Sequence, residues 1–158
     1  MKNRNKEYSL KDLLKKINQL KNNNKVIGFT NGCFDLLHKG HLHSISTAKN
    51  NCDYLIIGLN SDISINIIKG QNRPIDSQKN RVTKLSTLKD VDAIIIFNDN
   101  TPLKLIKNIN PDILFKGTDY KDKEIVGSKY IEKIGGKVVL IDILSGYSTT
   151  NIIKNHSI

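Results

Sequence analysis

The 158-residue chain has no tryptophan, one methionine, three prolines and two cysteines. Cys33 and Cys52 cannot build a disulfide framework or a four-thiolate metal site, so two reduced thiols are expected. No apolar run approaches the ~18 residues of a membrane-spanning helix. Met1-Lys2-Asn3-Arg4-Asn5 opens into polar sequence, unlike the apolar stretch of a secretion signal. Both absences predict a cytoplasmic protein with no membrane partner. Aromatic residues make up 6% of the chain, and arginine occurs only at Arg4, Arg73 and Arg81. These scarcities qualify the net charge of +10, which comes from 25 Lys+Arg against 15 Asp+Glu. Nucleic-acid binders cluster arginine for bidentate contacts, whereas the lysines here are scattered and few aromatics could stack bases. No nucleic-acid partner is expected. A basic surface does favour encounter with small anions.

What the chain has is alternation. Leu10, Leu13, Leu14, Ile17 and Leu20 recur at helical spacing behind Ser9, a helix-capping residue type. After Asn22-Asn23-Asn24 comes the apolar run Val26–Phe29, then the turn-like Thr30-Asn31-Gly32. A helix is predicted from about His41 to Asn50, a strand at Tyr54–Leu59, then a polar loop. A helix from about Ser77 to Leu88 leads to a strand at Ala93–Phe97. Thr101-Pro102 reads as an N-cap followed by proline at the first helical position, opening a helix to Ile109. The strand Ile113–Phe115, a helix from about Val126 to Ile134 and the strand Val138–Ile141 follow. A last short helix is expected to start in Ser148-Thr149-Thr150. Continuous apolar strands alternating with helices predict an α/β fold: a Rossmann-like, doubly wound, mostly parallel sheet with helices on both faces. One domain spans 1–158, with an N-terminal helix in 1–22 and an α/β core in 25–158.

Such sheets bind ligands beyond the carboxyl ends of their strands. There the sequence places Thr30-Asn31-Gly32-Cys33-Phe34-Asp35, followed by His38-Lys39-Gly40-His41. Two histidines three residues apart, where a strand hands over to a helix, point to phosphate. The helix N-terminus offers unpaired N–H groups and a positive dipole end, and imidazole N–H donors can stabilise developing charge. Gly32 and Gly40 let backbone approach the ligand. A zinc site from Cys33, His38 and His41 matches no structural zinc spacing, and no metal site is expected. His43 falls on another side of the helix and reads as a surface residue. Ser148 and Thr149, with Gly146-Tyr147 ahead of them, add hydroxyls at a further helix start, suited to phosphate oxygens or to capping.

His38-Lys39-Gly40-His41 resembles the HxGH signature of the nucleotidyltransferase superfamily. Residues 30–38 (TNGCFDLLH), 58–62 (GLNSD), 69–75 (KGQNRPI), 99–103 (DNTPL), 111–120 (PDILFKGTDY), 124–129 (EIVGSK) and 146–153 (GYSTTNII) resemble, in order, the adenylyltransferase domain of bacterial ADP-heptose synthases. The resemblance covers roughly Lys25 to the C-terminus. It implies transfer of AMP from ATP, which carries Mg2+ with it, to D-glycero-β-D-manno-heptose 1-phosphate, for lipopolysaccharide core synthesis. It also implies a homodimer. Nothing kinase-sized precedes the domain, so separate kinase and phosphatase proteins are expected in the pathway.

The implied chemistry sorts the residues. An ionised sugar phosphate attacks the α-phosphorus in line, so positioning and charge neutralisation dominate over base catalysis. His38, His41 and Lys69 are the candidate catalytic residues, with Thr30, Asn31, Gly32, Cys33, Phe34 and Gly40 around the nucleotide. Lys69 and Arg73, read as a basic pair in the polar loop, suit the sugar phosphate, and Asp35 its hydroxyls. Arg81 either reaches phosphate or pairs with an acid. Gly117 and Asp119 lie in the loop that adjoins the nucleotide in relatives, although Thr118 stands where those relatives usually carry a second glycine. The nearest rival is an enzyme like glycerol-3-phosphate cytidylyltransferase, which uses CTP. Those relatives tend to carry arginine just before the Gly-x-Ser-Thr-Thr segment, and this chain has Ile143-Leu144-Ser145.

Overall fold

The computed structural model describes residues 5–120 and 124–144. Its elements run α1 (Leu10–Asn22), β1 (Ile27–Gly32), α2 (Lys39–Asn50), β2 (Tyr54–Asn60), α3 (Asp62–Lys69) and α4 (Gln78–Ser86). Then come β3 (Ala93–Phe97), α5 (Leu103–Ile109), β4 (Ile113–Gly117), a 3₁₀ turn at Thr118–Tyr120, α6 (Ser128–Lys133) and β5 (Lys137–Ile141). The five strands form one parallel sheet in the order β3-β2-β1-β4-β5. The order reverses between β1 and β4, where a doubly wound sheet opens its ligand crevice.

Side-chain alternation along the strands divides the core into two layers. Ile27, Phe29, Ile56 and Ile95 pack with Leu13 and Ile17 of α1, Ile106 of α5 and Ile131 of α6. Leu55, Ile57, Leu59 and Phe115 pack with Ile45 of α2 and Leu85 of α4 on the other face. β2 is buried along its whole length, as a central strand covered on both sides must be. Ser9, Ser61 and Ser77 each accept a bond from the backbone N–H three residues on, fixing the starts of α1, α3 and α4.

The ends of the sheet differ chemically. At the amino ends, Asp53, Asp92 and Asp112 accept the N–H groups of Val26, Leu55 and Ile27 at 2.7–2.8 Å. Acidic side chains thus do local backbone work at the closed end, and the carboxyl ends carry the histidines and lysines. The seams differ too. β1 and β2 pair over six residues, up to Gly32 with Leu59. β1 and β4 pair only at Gly28–Ile113 and Phe29–Leu114. Beyond Phe29 the sheet is split, and the split is the cleft.

Four expectations shift. Thr30–Gly32 continues β1 instead of turning. The polar loop after β2 contains α3. Helix α2 starts at Lys39, which makes His38 its N-cap. Pro102, not Thr101, occupies the N-cap of α5 and has no side-chain capping bond, while the Thr101 hydroxyl accepts the Leu103 N–H at 3.5 Å. The predicted helix at 148–150 lies outside the described residues.

Candidate active site

The cleft at the β1–β4 split has a volume of about 600 Å³. Thr30, Asn31, Gly32, Cys33 and Phe34 form one wall, with His38, Gly40 and His41 from the start of α2 beside them. Lys69 enters from the last residue of α3, and Gly117 and Asp119 from beyond β4. Most residues singled out from sequence therefore meet in one place.

The two histidines cap their own helix. The Nδ1 atom of His38 accepts the Gly40 N–H at 3.1 Å, and the His38 N–H donates to His41 Nδ1 at 3.3 Å. The rings stack with centroids 3.8 Å apart and 24° between planes. With both Nδ1 atoms acting as acceptors, each neutral ring carries its proton on Nε2. Burial lowers the pKa of His38. Burial, then the charges of His38 and Lys69, takes His41 down to about 4. At neutral pH the pair is uncharged, fixed in tautomer and able to donate two N–H groups. Phe34, tilted against His41 at 5.2 Å, and Leu36 hold positive φ angles of 48° and 53°. Non-glycine residues adopt that conformation when their surroundings hold them there.

Those surroundings account for three residues that were expected to touch ligand. Asp35 is 1% exposed. It accepts Arg73 Nε and the Ile75 N–H at 3.0 Å and the Asp76 N–H at 2.8 Å. Burial alone would raise its pKa; the two backbone bonds and Arg73 outweigh that and lower it. Asp35 and Arg73 therefore fasten the loop before α4 to the loop after β1, and neither is part of the cleft wall. Arg81 is likewise buried. Its guanidinium donates to the carbonyls of Asp76 at 3.1 Å, Cys33 at 2.8 Å and Asn60 at 2.7 Å, and to Asp62 at 2.8 Å. Of the two readings for Arg81, the structure gives the acid partner. It lies under the site and ties β1, β2 and α3 together.

Residues 29–155 match the cytidylyltransferase-like family. The chain belongs to that family. Over 128 residues it is 50% identical to the bifunctional protein HldE of Paramagnetospirillum magneticum, covering 81% of this chain and 26% of that protein. Over 127 residues it is 50% identical to the same-named protein of Caulobacter vibrioides, covering 80% and 26%. The chain thus spans about a quarter of the length of these curated relatives. A crystal structure of the lipopolysaccharide core biosynthesis protein from Thermoplasma volcanium superimposes with a TM-score of 0.61 at 30% identity, covering 78% of this chain and 99% of that one. Pantoate-beta-alanine ligase from Francisella tularensis, solved with beta-gamma ATP and beta-alanine, gives 0.68 at 18% identity, covering 96% and 73%. At that identity it shares the fold alone.

The cytidylyltransferase-like cleft also holds residues to which sequence reading gave no role. Lys116, at the end of β4, donates from Nζ to Asn31 Oδ1 across the split. Burial lowers its pKa to about 8 while Asp119 pulls it upward. Asn60 is buried, donates to Ser64 Oγ at 3.0 Å and lines the floor. Ser44, one turn beyond Gly40, lines the wall as well. Lys116 and Asn60 were findable, since both end an apolar strand run on the ligand side. Burial raises the pKa of Cys33 despite Lys69, Arg81 and Arg73 nearby, so its thiol is uncharged. His43 is half-buried and off the cleft wall. Among the described residues no group of three or more His, Cys, Asp or Glu is arranged to hold a metal ion. Ser148 and Thr149 lie outside the described residues.

Proposed function

We propose that the chain transfers AMP from MgATP to D-glycero-β-D-manno-heptose 1-phosphate, releasing pyrophosphate and ADP-heptose. The observation that carries this reading is the stacked, neutral His38–His41 pair, whose Nε2–H donors belong to a helix N-terminus in a switch-point cleft. Two uncharged donors with fixed tautomers suit a phosphate whose negative charge grows during reaction. The sugar phosphate is already ionised near neutral pH, its second pKa being about 6, so the site requires no strong base. Its oxygen attacks the α-phosphorus as the bond to the β-phosphate breaks, and pyrophosphate leaves with the bonding electrons. His38 and His41 hold phosphate oxygens, and Lys69 bridges attacking and leaving groups. Gly40 presents the α2 N-terminus, and Thr30 through Phe34 line the nucleotide with Gly117 and Asp119. Ser148 and Thr149 supply further phosphate contacts. Mg2+ arrives with ATP and departs with pyrophosphate.

The half-identity to HldE, together with the resemblance to ADP-heptose synthases, supports ATP and the heptose phosphate over other substrates. On this reading the protein works in the cytoplasm as a homodimer, at the nucleotidyl-transfer step of lipopolysaccharide core synthesis. No helix among the described residues is long and apolar enough to cross a membrane. The test is pyrophosphate release with ATP or CTP crossed against heptose 1-phosphate or glycerol 3-phosphate. Release with ATP and heptose 1-phosphate alone is expected. Release with CTP and glycerol 3-phosphate would keep the mechanism and replace the substrates; no release with any pair would sink the reading.

A further inference from the structure

Asn60 brings to the floor of the cleft an acceptor that the protein itself leaves unused. It is the last residue of β2, is 5% exposed and lines the cleft. Its backbone carbonyl accepts from Arg81 at 2.7 Å, and its Nδ2 donates to Ser64 Oγ at 3.0 Å. The same Ser64 hydroxyl donates to the Asp99 carbonyl at 3.3 Å. A carbonyl only accepts, and a serine has one hydroxyl proton. That proton goes to Asp99, so Ser64 Oγ must accept from Asn60, and the amide is held with Nδ2 towards α3. Oδ1 is the end left for the cleft, and no described residue donates to it.

A buried acceptor needs a donor opposite it. Phosphate oxygens only accept and are repelled by Oδ1; they belong with the histidine N–H groups and Lys69. A sugar hydroxyl supplies the missing donor. Position identifies which sugar. In the strand order β3-β2-β1-β4-β5, β2 lies on the far side of β1 from β4. Asn60 therefore stands away from Gly117 and Asp119, on the flank lined by Lys69, Asn100 and Thr101. On the nucleotidyl-transfer reading, Lys69 holds the attacking sugar phosphate on that flank.

Resting on that reading, we propose that Asn60 is a specificity-determining residue whose Oδ1 accepts a hydrogen bond from one hydroxyl of the acceptor sugar. Ser64 and Asp99 set the amide in advance, so it need not turn when the sugar binds. An acceptor with hydrogen in place of that hydroxyl leaves Oδ1 out of water and unpaired. Sites built to pair a hydroxyl reject the analogue lacking it far more strongly than apolar sites reject a missing methylene.

The experiment measures kcat and KM by pyrophosphate release with ATP and either heptose 1-phosphate or each of its monodeoxy derivatives, for wild type and Asn60→Leu. Wild type should lose on the order of 10–10²-fold in kcat/KM with one derivative, mostly through the KM for the sugar phosphate. Asn60→Leu should lose a similar factor with the intact sugar and no longer distinguish that derivative from it. Its KM for ATP should stay close to wild type. Equal discrimination by wild type and Asn60→Leu would overturn the proposal while the activity stands. So would a wild type indifferent to every derivative, or a variant altered only in its KM for ATP. A wild type silent with the intact sugar phosphate would sink the nucleotidyl-transfer reading, and this assignment with it. Should Asn60→Leu lose cooperative unfolding, Asn60→Ala, which leaves room for water beside Ser64, decides by the same comparison.

Discussion

Arg81→Met tests whether the site is held from beneath. Methionine keeps the buried stem filled and removes the guanidinium, which makes four hydrogen bonds. Two losses can be relieved by water, since the side chain of Asp62 is 45% exposed and the Asp76 carbonyl lies in a loop. Loss of the bond to Asn60, buried at both ends with Asn60 5% exposed, cannot, and the part-buried carbonyl of Cys33 also loses its donor. A charge-assisted bond contributes about 1.5–3 kcal/mol, and removing one member of a buried pair typically costs about 3–5 kcal/mol. We therefore expect about 4 kcal/mol of destabilisation, a large part of the ~5–15 kcal/mol a domain has. At roughly 2–4 °C per kcal/mol for a chain of this size, the Tm falls by about 10 °C. Circular dichroism melts of wild type, Arg81→Met and Arg81→Lys measure it, with lysine expected in between. A Tm for Arg81→Met within about 3 °C of wild type would refute this reasoning. A collapse of kcat at unchanged Tm would return Arg81 to the ligand.

Other expectations follow from the same geometry. His41→Ala should lower kcat by on the order of 10²–10³-fold, measured by pyrophosphate release, with unfolding still cooperative. Because the folded pKa of His41 is about 4 against 6.5 unfolded, stability from its neutral form is fully present above pH 6.5 and drains away as pH falls towards 4. Urea melts across that range should show His41→Ala with a shallower acid decline than wild type. Asp35→Asn should cost about 3 kcal/mol, since Arg73 is left mostly buried without its charge partner; equal urea midpoints for variant and wild type would remove Asp35 from the loop's support. Lys69→Ala should lower kcat more than it raises the KM for ATP, and a change in KM alone would make Lys69 a ground-state contact.

The sheet was legible because its strands are unbroken apolar runs, such as Tyr54–Leu59, and no other element demands such runs in a chain this polar. Helix α3 was not. Its apolar residues fall at 63, 65, 67 and 68, three of them at strand-like spacing, and Ile63 and Ile67 are 68% and 63% exposed. The helix buries only Ser64 and Ile65, so no apolar stripe announces it. Its cap, Ser61, was the available signal. Within the site, His38 and His41 were legible because spacing and position converge on one chemistry. Asp35, Arg73 and Arg81 were not, because a charged side chain near a ligand loop looks the same in sequence whether it grips the ligand or the loop. Only the partners distinguish them, and those come from 5 to 48 residues away along the chain.

The unequal seams of the sheet bear on how such a domain can evolve. Six paired residues join β1 to β2, whereas two join β1 to β4, and the cleft occupies the length over which pairing is missing. Residues bordering that gap are answerable to the ligand more than to the ladder, so they can be exchanged with little penalty to folding. New acceptor molecules could be accommodated by altering Ile143, Ser44 or Thr101 along its rim while β2 stays untouched. A fold built this way keeps its architecture through deep divergence, as the 18%-identical ligase that still superimposes along 96% of the chain illustrates. For engineering, saturation libraries belong on the gap's border, and the β1–β2 seam should be left alone.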